Sequence, residues 1–359
     1  ATISDQQIST LFWINMLVGA MLALLCLAAA PVLVKFYGEP RLFWVTVALA
    51  GGFILNAASV QHTALLVRHM RFVAVTLIEI MSLLASIAVG IGMALTGFAY
   101  WALVGAAIVA PAVSAAAAWL ATAWIPGSPR SRAKVGSMLH LGGILTLNNL
   151  IVYFAYNFEK ALLGRYWGTE ALGIYGRAYQ LINIPTDNIN LAVGGVIFSA
   201  LSRLQNDPIR YKSYFLKGYS LVISLTLPIT IFCALFADDI VLVVLGPKWH
   251  EVTLIFRLLC PTILIFGLIN PFSWLLYSIG LQTRALKLAL VIAPLVISAY
   301  VFGLPYGTTG VAIAYSAALT VWVVPHVIWT LHGTMISPWD LLSAISRPFL
   351  SSIVAAAFA

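Results

Sequence analysis

Charge is what this chain lacks most. Lysine, arginine, aspartate and glutamate together make up only 8% of its 359 residues, while 62% are hydrophobic. A soluble domain carries charge at roughly a quarter of its positions. No soluble globule of this size could hide so much apolar surface, so the missing solvent is lipid. Cysteine is also scarce. Cys26, Cys233 and Cys260 lie inside apolar runs, without the spacing of a metal site or a disulfide framework, and read as small packing residues. There is no glycine-rich phosphate loop and no G-x-S-x-G nucleophile motif, which argues against ATP hydrolysis and against an enzyme. His62, His69, His140, His250, His326 and His332 are scattered, so neither metal nor other cofactor is expected. The opening ATISDQQIST has no basic segment before the apolar run and is not a signal peptide.

What the chain has instead is a series of long apolar runs. They fall near 11–34, 43–66, 72–95, 100–124, 138–158, 183–202, 218–236, 253–279, 286–303 and 308–331, and a last one starts near 346. Crossing a bilayer takes roughly 20 residues of helix. Inside lipid every backbone polar group must bond within its own segment, so the runs are helices. They are continuous and too long for the strands of a barrel. The fold class expected is an all-α polytopic membrane protein with about 10–11 transmembrane helices.

The net charge of +8 would suggest nucleic-acid binding in a soluble protein. Here the cations sit in short loops and report topology. One side collects Arg68, Arg71, Arg130, Arg132, Lys134, Arg203, Arg210, Lys212, Lys217, Arg284, Lys287 and Arg347; the other has Lys35, Arg41, Lys160, Arg165, Arg177, Lys248 and Arg257. That is 12 against 7, and the richer side is expected to be cytoplasmic.

The loops also repeat. FYGEPRLFW, RHMRF and TGFAYWALVGAAI recur in order as VLGPKWHEV, LQTRALKL and YGTTGVAIAYSAA, which pairs Gly38 with Gly246, Arg71 with Arg284, and Gly97–Trp101 with Gly307–Thr309. The second copy follows two further spans; the first copy has none before it. The expected organisation is an N-terminal lobe over 1–125 lacking its first two helices, a cytoplasmic basic linker over 126–136, a six-helix lobe over 137–333, and the start of another helix over 334–359. An even number of spans per lobe makes the repeat parallel, and parallel repeats place a substrate path between the halves. The end SSIVAAAFA stops inside an apolar segment, and the chain reads as cut there.

Polar residues inside spans are costly and become functional candidates. Asn149, Tyr153, Tyr156 and Lys160 form one helical stripe, flanked by Asn148 and Asn157. Asn183, Asp187, Asn190 and Gly194 form a second, on a helix that Pro185 should bend. The stripes can line a watery cavity, or glue helices together. Lys160, with Arg165 and Arg177, could hold a phosphate or diphosphate at a cavity mouth, or snorkel to the interface. Glu159 could partner Lys160 or carry a proton. Glu79, a lone acid within TLIEIMSLL, could titrate during transport or bond a neighbouring helix. Asp238 and Asp239 mark a solvated helix end.

These segments carry a family resemblance. NFEKALLGRYWGTEALGIYGRAYQLINIP (157–185), FSALSRLQNDPIRYK (198–212), ADDIVLVVLGPKWHEV (237–252), STLFWINMLVGAML (9–22) and APVLVKFYGEP (30–40) resemble polysaccharide-unit flippases of the multidrug/oligosaccharidyl-lipid/polysaccharide exporter superfamily. The resemblance implies two six-helix lobes working by alternating access in the bacterial inner membrane. It implies translocation of an oligosaccharide on undecaprenyl diphosphate, with membrane lipids around it and a polysaccharide polymerase and glycosyltransferases as further partners. The first two helices of each lobe would line the cavity, which fits the polar stripes. The family commonly has Asp where Glu159 stands, followed by a variable residue, here Lys160. Drug/cation antiport, or an enzyme acting on lipid-linked sugars, are the alternatives. The short outer loops leave little room for the enzyme's catalytic domain.

Overall fold

A computed structural model describes residues 5–128 and 136–357. Everything regular in the described residues is helix, as lipid demands of apolar runs. The chain divides into a unit over Ala1–Leu139 and a unit over His140–Ala359.

The first unit contains α1 (Asp5–Tyr37), α2 (Leu42–Arg68), α3 (Phe72–Leu95) and α4 (Trp101–Thr122). Its buried apolar residues include a set of alanines: Ala23, Ala30, Ala50, Ala57, Ala102, Ala115 and Ala118. Small side chains let helix backbones approach, which drives packing where lipid offers no hydrophobic force between helices. Gly19 shows the limit: a Cβ there would meet both the Ala57 methyl and the Phe53 carbonyl. His62 is fully buried, with its Nδ1 2.7 Å from Thr122 Oγ1. The central part of the expected basic linker, residues 129–135, lies outside the described residues.

α5 (Gly136–Tyr166) runs from the end of the first unit into the second, and α6 (Gly168–Arg203) and α7 (Pro208–Leu235) follow it. The short helices α8 (Ala237–Leu245), α9 (His250–Leu259), α10 (Pro261–Ile269) and α11 (Pro271–Ser278) follow, then α12 (Gln282–Gly303), α13 (Gly307–Leu331) and α14 (Pro338–Ala357). The expected span 253–279 is thus punctuated at two prolines, although Cys260 and Asn270 keep helical backbone and Pro261–Ser278 is one stretch long and apolar enough to cross a membrane. Pro261 and Pro271 each open a new helix, because proline has no N–H to donate to the turn before it. α6 and α7 start 15 and 10 residues earlier than their apolar runs, as amphipathic extensions. Pro185 sits within α6 without ending it.

Seven helical stretches among the described residues are long and apolar enough to cross a membrane. The last of them, Gln282–Leu331, contains both α12 and α13. The long helices α5 and α6 fall outside that set because polar residues interrupt their apolarity.

The repeat read from the loops appears as matching backbone geometry. Gly38 and Gly246 take φ of 70° and 89°, and Gly97 and Gly307 take 84° and 70°. These are left-handed conformations that glycine adopts without penalty. Arg71, before α3, donates to Ala121 O at the end of α4 at 2.8 Å. Arg284, in the first turn of α12, donates to Thr330 O and His332 O at the end of α13, at 3.1 and 2.6 Å. In both copies a guanidinium satisfies carbonyls that a helix end leaves open.

Candidate functional site

The two polar stripes meet. Asn149, Val152, Tyr153, Tyr156 and Asn157 of α5 face Tyr179, Asn183, Thr186, Asp187 and Asn190 of α6 across a cavity of about 460 Å³, closed by Phe266 and Asn270 at α10. The spacing accounts for the alignment: residues three, four, seven and eleven apart share one side of a helix. Of the residues singled out by pattern, Asn149, Tyr153, Tyr156, Asn183, Asp187 and Asn190 are in the wall.

Lys160 and Arg177 stand outside it. The Lys160 amine donates to Asn157 Oδ1 at 2.6 Å and lies 5.9 Å from the Tyr179 ring centroid, so two wall residues hold it one step back. Arg177 donates to Gln180 Oε1 at 2.9 Å and rests 5.7 Å from the Trp249 ring. Among the described residues the wall therefore offers amides, hydroxyls and the Asp187 carboxyl, and no cation. Asn148, which flanks the stripe, donates to the Tyr277 hydroxyl at 3.1 Å.

Glu159 turns the other way from Lys160 and forms no ion pair with it. Its side chain is fully buried, and neither carboxyl oxygen makes a hydrogen bond of normal geometry, although Tyr300 stands within reach. Around it are Tyr175 and Tyr179 of α6 and Tyr300 of α12. Tyr315 of α13 stacks on Tyr300 at 5.3 Å; the hydroxyls of Tyr175, Tyr300 and Tyr315 are buried, that of Tyr315 within reach of the Tyr179 hydroxyl. Tyr156 and Tyr179 belong both to this cluster and to the cavity wall, each with its ring 6.3 Å from Tyr315. Sequence reasoning missed the cluster. Tyr175 and Tyr179 are one helical turn apart, but their partners come from helices more than a hundred residues later.

Glu79 is on α3 in the first unit, with its side chain exposed on the protein surface. Asp238 pairs with Arg257 at 2.7 Å at the start of α8, as a solvated helix end would.

Comparison with known proteins places these features in a family. The model of a family described as "Polysaccharide biosynthesis protein" matches residues 1–254. The chain is 26% identical over 280 residues to the teichuronic acid biosynthesis protein TuaB of Bacillus subtilis, covering 77% of this chain and 58% of that one. It is 25% identical over 282 residues to the lipopolysaccharide biosynthesis protein WzxC of Escherichia coli, covering 77% and 56%. The chain thus spans little more than half the length of these relatives. Among solved structures, the lipid II flippase MurJ in an inward closed conformation superposes with a TM-score of 0.75 at 15% identity, covering 98% of this chain and 77% of that chain. The fold is that of this solved structure.

Proposed function

From the premise that the chain belongs to the polysaccharide biosynthesis protein family, we propose that it is part of a flippase that turns lipid-linked oligosaccharide units across the bacterial inner membrane by alternating access. The observation that carries the reading is the cavity of α5 and α6: about 460 Å³ of space lined by asparagines, tyrosines and threonine, within an otherwise apolar helical unit. Uncharged hydrogen-bonding groups beside aromatic rings suit sugars, which present hydroxyls at their edges and C–H on their faces. The cost of keeping such groups at membrane depth is the reason to assign them work.

The carrier is proposed to be undecaprenyl diphosphate, with a polymerase and glycosyltransferases acting before or after. Lys160 is the cation nearest the cavity, and its role is to reach the carrier phosphate by releasing Asn157. Arg177 is held by Gln180 and Trp249 and is assigned to the interface. Glu159, caged among tyrosines beside the same cavity, is assigned to proton or ion coupling. Glu79 is exposed on α3 and is not assigned to coupling.

One observation favours a second reading. Among the described residues the one carboxyl in the cavity wall is Asp187, and an acid in a transport cavity suits export of a small cation.

The test uses the complete gene in a strain deprived of its own polysaccharide flippase. Wild type restores surface polysaccharide, and Asn183→Leu and Lys160→Ala lower it while reaching the membrane in normal amount. If no form restores polysaccharide, yet wild type protects cells from cationic drugs and Asp187→Asn does not, the antiporter reading replaces the flippase.

A further inference from the structure

A second cavity lies on the far end of α6, away from the sugar-facing wall. It holds about 510 Å³ and is lined by Ala200, Arg203 and Leu204 of the α6 end and its turn, with Arg210, Ser213, Tyr214 and Lys217 of α7. Three cations meet there. The facing carboxylate is Asp207, which caps α7 by accepting from the Arg210 backbone N–H at 3.1 Å and pairs with the Arg210 guanidinium at 3.4 Å. Among the described residues Arg203 has no carboxylate partner, and Lys217 has only the Tyr214 ring at 5.9 Å. The concavity therefore keeps an uncompensated positive charge, on the face where the lysine and arginine excess accumulates.

The surface below it changes character within one turn. On α7 the side that carries Arg210, Tyr214 and Lys217 continues as Leu221 and Leu225, 48% and 41% exposed. On α6 the side that carries Arg203 and Ala200 continues as Val196, 69% exposed. Both helices go from cation to bare aliphatic surface as they leave the turn. A free anion would use the first half of that surface only.

We propose that this groove binds an acidic phospholipid of the membrane, with its phosphodiester between Arg203 and Lys217 and an acyl chain along Val196, Leu221 and Leu225. Arginine offers the phosphate paired N–H donors. Ser213 and Tyr214 present hydroxyls at the depth of a glycerol headgroup. A basic pocket between helices at the membrane surface is suited to such headgroups. Asp207 beside Arg210 disfavours a more highly charged diphosphate. The proposal does not depend on the flippase reading, since the groove shares no residue with the α5–α6 cavity.

The test is lipid retention and melting temperature of the purified full chain, with added dioleoyl-phosphatidylglycerol, dioleoyl-phosphatidylcholine, inorganic phosphate or undecaprenyl diphosphate. Phosphatidylglycerol is expected to stay bound and raise the melting temperature; phosphatidylcholine and inorganic phosphate are not. Arg203→Gln with Lys217→Gln weakens apparent phosphatidylglycerol affinity by about 30-fold, and each single change by about fivefold. The exchange Arg203→Lys with Lys217→Arg keeps binding. Lys212→Gln, whose amine is tied to Asp340 instead, leaves binding near wild type. Undiminished binding by the double glutamine variant, or by both single variants if the double does not fold, overturns the proposal. Equal protection by inorganic phosphate also overturns it, as does displacement of phosphatidylglycerol by equimolar undecaprenyl diphosphate.

Discussion

The chain builds the same run of loops and helices twice, and the two copies are held together by different means. In the first unit about half of the buried apolar side chains are alanines, with Gly19 at a close helix contact, beside one aromatic cluster of Phe12, His62, Trp119 and Trp124. In the second, the largest fully buried side chains are Tyr175, Tyr211, Tyr219, Tyr300 and Tyr315, with Phe215, Phe256 and Phe272. Backbone turns and arginine caps recur between the copies; side-chain packing does not. Repetition of this kind preserves the positions where the chain must bend or end. It leaves the interior free, and in the second unit that freedom holds a carboxyl, several phenols and a polar cavity.

The sharpest contrast is between the acids. Glu159 is buried in the tyrosine cluster and Glu79 is exposed on α3. In the complete protein, Glu159→Gln should lower transport by about tenfold, the scale of a typical coupling energy. Glu79→Gln should leave transport near wild type. Polysaccharide export normalised to membrane-inserted protein checks both, and an equal effect of the two changes would erase the distinction.

Helix contact at the second hairpin comes next. A Cβ on Gly303 would run into the backbone of Gly310 and Val311, whereas a Cβ on Gly105 in the first unit would meet the side chain of Met93. Backbone cannot yield and methionine can. Gly303→Ala should cost about 1–3 kcal/mol of stability and Gly105→Ala distinctly less, as measured by thermal unfolding in detergent.

The arginine caps give a graded version of the comparison. Arg284 bonds two carbonyls and Arg71 one. Arg284→Ala should therefore cost about 2–3 kcal/mol and Arg71→Ala about half as much, again by unfolding.

The smallest effect concerns the second unit alone. Lys212 and the Ser337 backbone N–H hold the Asp340 carboxyl down to about 2, and Ser337 and Asp340 cap the start of α14 reciprocally. A depressed carboxyl stabilises the fold at pH above its ordinary value. That contribution is lost as the pH falls from near 4 towards about 2. Lys212→Ala should shift the melting temperature by about one degree near neutral pH, and the shift should shrink in acid.

Much of this architecture is legible in the residues themselves. α3 occupies 72–95 as its apolar run does, because lipid solvation makes length and apolarity sufficient. The cavity wall is visible as helical spacing, since a polar stripe stands out against an apolar helix. The early starts of α6 and α7 are hidden by residues such as Arg177 and Lys212, which are polar yet helical. Arg177 reads as a cavity cation because it is close in the chain to the polar stripes, but Trp249 and Gln180 hold it elsewhere. The tyrosine cluster around Glu159 depends on α12 and α13, and no local spacing reports a contact between residues so far apart in the chain.

The α12–α13 hairpin is fastened twice. At its turn Gly303 approaches Gly310 closely, and at its open end Arg284 holds the last carbonyls of α13. A pair of rods clamped at both ends cannot shear along its length, so it behaves as a strut. Any displacement that reaches Tyr300 or Tyr315 is then shared by both helices at once, and Glu159 feels the position of the whole hairpin rather than the motion of one side chain.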